Sequence, residues 1–76
     1  MNRREQQIKN ELESQGWKIL RGGAPDFIAL KVTNNGDVDI FKGIEVKSKM
    51  DKLSYEQEVY RKLFILAGVP YEVRVV

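Results

Sequence analysis

The chain has 76 residues, 42% of them hydrophobic and 32% charged, with a formal net charge of +2, and a domain this small buries only roughly 60% of the surface its unfolded chain exposes. There is no cysteine and no histidine, which excludes disulfides, thiolate metal sites and Ser-His-Asp or Cys-His catalysis. Any metal must be held by oxygen, which points to magnesium, manganese or calcium.

Met1-Asn2-Arg3-Arg4-Glu5 leads into a charged segment rather than an apolar signal core, and no apolar run approaches a bilayer span. An intracellular, cytoplasmic protein without a membrane partner is expected. Residues 3–15 are rich in helix formers, with Ile8 and Leu12 on one face and Gly16 placed to end the helix. Residues 17–21 read as a short strand, and Gly22-Gly23-Ala24-Pro25 as a loop. Residues 26–32 are mostly apolar, as in a strand buried on both faces in the middle of a sheet.

Asn34-Asn35-Gly36-Asp37 carries tight-turn residues that send the chain back antiparallel. Residues 38–48 form a long strand, with a bulge or bend expected at Lys42-Gly43. Ser54-Tyr55-Glu56-Gln57 matches a capping box, starting a helix that runs to about residue 67 with Gly68 as its stop. Residues 71–76 complete a final strand. The order helix, three strands, helix, strand predicts one α/β domain over residues 1–76, a mixed sheet flanked by two helices. The second helix carries a wide apolar stripe of Tyr55, Val59, Tyr60, Leu63, Phe64, Leu66 and Ala67. Either the first helix covers the excess or the stripe is a dimer contact.

Alternation along a strand puts Glu45 and Lys47 on one face and Ile44 and Val46 on the other. With the Asp26 strand alongside, two carboxylates and a lysine converge where a divalent cation and a phosphodiester could sit. An isolated Glu-x-Lys is usually an ordinary solvated pair, and Asp26 after a proline suits a turn. Their combination, with apolar flanks and a hairpin between, is more specific. A third carboxylate could come from Glu5, Glu11 or Glu13 on the first helix. Gln57 serves either the cap or a site, as an amide reaching the phosphate or water at the metal. Trp17 reads as core rather than as a stacking platform. Basic residues Arg3, Arg4, Lys9, Lys18, Arg21, Lys31, Lys42, Lys47, Lys49 and Lys52 fall in the first two thirds of the chain, around the carboxylates.

These residues together resemble the PD-(D/E)XK nuclease superfamily and, within it, the VRR-NUC domain, the virus-type replication and repair nuclease group. There is similarity to archaeal Holliday-junction resolvases as well. The resemblance rests on Glu5, Gly16-Trp17, Gly23-Ala24-Pro25-Asp26-Phe27-Ile28-Ala29-Leu30-Lys31, Ile44-Glu45-Val46-Lys47-Ser48, Leu53-Ser54-Tyr55-Glu56-Gln57, Leu63, Ala67-Gly68 and Val73. It implies an αβββαβ fold and a Mg2+- or Mn2+-dependent endonuclease acting on branched DNA such as four-way junctions or flaps. A homodimer and an association with phage or viral replication or repair proteins are implied too. Asp26, Glu45 and the Val46 carbonyl match metal ligands, and Glu5 matches a helical acidic residue that reaches the metal through a water. Lys47 matches the catalytic lysine and Gln57 the glutamine that shapes the site. Arg21, Gly23, Lys49, Lys52 and Ser54 are matched to contacts with the nucleic acid. A non-cleaving DNA-structure-binding module, or a subunit of a replication or repair complex, is the alternative, and a pure binder has no need of clustered carboxylates that repel phosphate.

Overall fold

The computed structural model describes residues 1–76. The elements run α1 (Arg3–Ser14), β1 (Lys18–Arg21), β2 (Phe27–Val32), β3 (Val38–Lys47), α2 (Tyr55–Leu66) and β4 (Tyr71–Val75), the expected αβββαβ order. The four strands lie in the order β1-β2-β3-β4. The first two pairings are antiparallel, and β4 returns through α2 to pair parallel with β3. None of the helices is long and apolar enough to cross a membrane.

Both helices are closed chemically at each end. Asn2 caps α1 in a reciprocal box with Glu5, and Ser54 caps α2 in the same way with Gln57. At their other ends Gly16 (φ +90°) and Gly68 (φ +75°) take the left-handed conformation that other residues adopt only at a cost.

The sheet has two unlike faces. On one, Ile8 and Leu12 of α1 bury against Phe27, Ala29 and Ile44, with Trp17, Ile19, Val46 and Val76 packed around them. On the other, Gly43 faces α2. A Cβ there would lie 2.9 Å from the Phe64 ring and 3.0 Å from that of Tyr71, and these two rings meet edge to face at 5.2 Å. Since Gly43 and Ile44 are consecutive on β3, the two helices cover opposite faces.

This arrangement corrects three expectations. The strand irregularity falls between Lys31 and Val32, beside the hairpin, while β3 passes Lys42 and Gly43 in register. Gly43 is instead where two aromatic rings approach the backbone. β2 is buried on one face, through Phe27 and Ala29, but only half-buried at Ile28 and Leu30, because α2 sits along β4 rather than over β2. The apolar excess on α2 is not covered by α1, which lies across the sheet, and Tyr55, Leu63 and Leu66 remain 83%, 52% and 84% exposed.

A charged chain ties the α1 face together. The ammonium groups of Lys31 and Lys42 sit 4.6 and 4.5 Å from the centre of the Trp17 ring. Lys42 pairs with Glu72 at 2.8 Å, Glu72 with Arg74 at 2.9 Å, and Arg74 approaches Glu11 at 3.8 Å. Partial burial pushes the Glu72 carboxyl up, but its bonds to Lys42 and Arg74 outweigh this and leave it below its ordinary value.

Leu12 is fully buried in a core of five residues, and no second core compensates for its loss. Leu12→Ala is expected to lower stability by about 2–5 kcal/mol, measured as the shift of the urea-unfolding midpoint.

Candidate active site

Asp26 lies one residue beyond the Phe27↔Ile44 pair, which brings it alongside Glu45. Its Oδ2 accepts a hydrogen bond from the Val46 backbone N–H at 2.9 Å, which ties the start of β2 to the end of β3. Glu45 is the buried charged residue of the fold, with no exposed surface. Its Oε2 accepts from the Gln57 side-chain amide at 3.1 Å, and its Oε1 is buried without a hydrogen-bond partner.

The Gln57 amide has its direction set by the helix cap. Its oxygen accepts from the Ser54 N–H at 2.9 Å, while the Ser54 hydroxyl accepts from the Gln57 N–H at 3.2 Å. With the oxygen so engaged, the amide nitrogen must face Glu45. Cap and site are therefore one arrangement rather than competing roles.

Burial, followed by the charge and close contact of Asp26, raises the Glu45 carboxyl from its ordinary 4.5 to about 7. Tyr71 and Lys47 pull it down only in part. The Tyr71 hydroxyl is also buried and unpartnered; it is held well above the ordinary tyrosine range by burial and then by Glu45, although the two groups do not meet hydrogen-bond geometry. Lys47 ends β3 half-buried and takes no part in the ion pairs of the fold. Two abutting carboxylates, one with a buried oxygen that nothing satisfies, form a donor set that suits a hard divalent cation.

Residues 2–76 match the profile of the VRR-NUC domain. The chain belongs to the VRR-NUC family. No curated protein and no solved structure matches it. Membership makes this a nuclease-type domain, which implies DNA binding, in a family that generally uses divalent metals.

Around the carboxylate pair, the remaining residues of the VRR-NUC domain fall into distinct places. Glu5 is engaged in the α1 cap, its Oε2 accepting from the Asn2 N–H at 3.2 Å. Glu13 pairs with Lys9 at 3.1 Å and Glu11 faces Arg74, and no group of three carboxylates is gathered to hold a metal ion. Arg21 and Gly23 are exposed beside the loop that leads to Asp26. Lys49, Lys52 and Ser54 are exposed on the segment between β3 and α2. In that segment Asp51 is held below the ordinary carboxylate value, first by the Ser48 hydroxyl and then by the nearby charges of Lys47 and Arg4. Sequence reasoning missed the Asn2-Glu5 cap, although Asn-x-x-Glu before a helix was a usable signal. It also missed Tyr71, whose relation to Glu45 depends on the parallel Gly43↔Tyr71 pairing.

Between pH 4.5 and about 7 the folded domain keeps a proton on Glu45 that the unfolded chain has lost. The stability linked to this group is thus full below pH 4.5 and lost as the pH rises through 7. Metal-free protein is expected to be less stable at pH 8 than at pH 5 by about 1–3 kcal/mol. In Glu45→Gln this loss should disappear, as read from urea unfolding at both pH values.

Proposed function

We propose that this VRR-NUC domain, acting as one unit over residues 1–76, is a Mg2+- or Mn2+-dependent endonuclease that hydrolyses phosphodiester bonds in branched DNA such as four-way junctions or flaps. The observation that supports the reading best is the buried Glu45 beside the half-buried Asp26, with burial first and the Asp26 charge second raising the Glu45 carboxyl to about 7 and Lys47 one step along the same strand face. Asp26, Glu45 and the Val46 carbonyl would hold the ion, and Glu5 would reach it through a water. A bound divalent cation acidifies water and screens charge building on the phosphoryl oxygens.

The chain's own groups do the rest. Lys47, free of an ion pair, directs its ammonium to the attacking water and to the negative charge of the transition state. Gln57 holds Glu45 through its amide N–H, at a distance of 3.1 Å. Arg21, Lys49 and Lys52 contact backbone phosphates, and Gly23 lets the backbone approach the strand closely. The Ser54 hydroxyl oxygen accepts from Gln57, which leaves its proton free to donate to a phosphate.

The partner protein in this reading is a second copy of the chain. The exposed stripe of α2 borders an apolar hollow of about 290 Å³ lined by Phe41, Leu63, Phe64, Ala67 and Val69. An apolar patch this extensive on so small a domain favours isologous contact. A two-fold pair presents two carboxylate sites to one symmetric junction.

With a four-way junction, a flap and a linear duplex in magnesium, cleavage of the branched substrates is expected. Lys47→Ala and Asp26→Asn should each slow it by about 100-fold or more, with DNA binding retained in a filter assay. Uncut substrates, or variants as fast as the wild type, would remove the assignment, and binding without any product would make the domain a non-cleaving module. Sedimentation at micromolar concentration should give twice the 8.8 kDa chain mass. Leu63→Glu should return the domain to a single chain; a wild type that is already a monomer contradicts the dimer.

A further inference from the structure

Two polar atoms of the fold are buried without a partner, Glu45 Oε1 and the Tyr71 hydroxyl oxygen. They lie on the same side of the sheet. Tyr71 pairs with Gly43 across β3 and β4, and Val73 with Glu45, so Tyr71 shares the face of Gly43, Glu45 and Lys47. The Tyr71 ring is fixed there from two directions, lying over the backbone of Gly43 and taking the edge-to-face contact of Phe64. Any side chain at residue 43 would push it away. Glu45 is two residues farther along the strand, within reach of a phenol anchored at residue 43. A buried hydroxyl and a buried carboxylate oxygen, both unsatisfied, carry a penalty that a mutual hydrogen bond removes.

We propose that Tyr71 is a positioning residue for Glu45, its hydroxyl donating to Oε1 while the Gln57 amide donates to Oε2. Each carboxylate oxygen has two lone pairs, so a carboxylate clamped at both oxygens still has acceptor capacity for a cation and presents it in one orientation. The Gly43, Phe64 and Tyr71 packing is then the support that aims a ligand from the opposite strand, as outer-shell partners of metal ligands commonly do. The inference rests on the reading that Glu45 holds the ion.

Tyr71→Phe removes one oxygen and keeps the ring stack. It is expected to weaken Mn2+ binding by about 10–100-fold, read as free Mn2+ by electron paramagnetic resonance in the absence of DNA. In metal-free protein at pH 8, the same substitution should shift the carboxyl-carbon resonance of Glu45. Replacing all three tyrosines with 3-fluorotyrosine, a stronger donor in a nearly unchanged ring, should also shift that resonance and gives a measure that survives if Tyr71→Phe does not fold. A Glu45 resonance that stays put in both proteins overturns the proposal, as does Mn2+ binding by folded Tyr71→Phe at wild-type strength. Wild-type protein that binds no Mn2+ overturns the metal reading instead, and the carbon resonance still decides whether Tyr71 engages Glu45.

Discussion

The fold depends on the two-residue period of β3. Ile44 and Val46 turn toward α1 and belong to the core and its surroundings, while Gly43, Glu45 and Lys47 turn toward the side of α2. The core and the carboxylate pair are two sides of one strand. A slip of a single residue in the β2–β3 register would move Glu45 into the cluster of Phe27, Ala29 and Leu12 and carry Ile44 to the site. The apolar demand of the core therefore holds the chemistry in place, and the Asp26 bond to the Val46 N–H locks the same register from the polar side.

Much of this was legible in the sequence because it follows from local rules. Element order came from periodicity and turn residues, the C-terminal ends of both helices from Gly16 and Gly68, and the start of α2 from Ser54. The alternation of Ile44, Glu45, Val46 and Lys47 gave the facing of the proposed site. What was not legible depended on partners distant in the chain. Gly43 reads as a bulge in isolation because nothing nearby announces the rings of Phe64 and Tyr71. The placement of α2 over β4, which leaves its stripe bare, follows from the parallel crossover rather than from the helix's own composition. Composition alone does not separate Glu11 from Glu5, because the Arg74 that approaches Glu11 lies on the last strand.

The two polar systems of the molecule answer different needs. On the α1 face, Lys42, Glu72, Arg74 and Glu11 alternate in sign, and the lysines over Trp17 cover its ring. Each charge there has a neighbour, and the arrangement is stable as it stands. Around Glu45 like charges adjoin and one oxygen is left over, so the same small sheet carries a contented network on one face and an electrostatic deficit on the other. In the proposed function that deficit is what a bound cation would offset.

The Gln57 amide can offer its nitrogen to Glu45 only while its oxygen is held by the Ser54 N–H. The first turn of a helix is the part that frays most readily, at a free-energy cost well below that of global unfolding. The orientation of the Glu45 carboxylate is therefore coupled to the local opening of that turn, and its bond to Gln57 can be lost in molecules whose sheet and core remain intact.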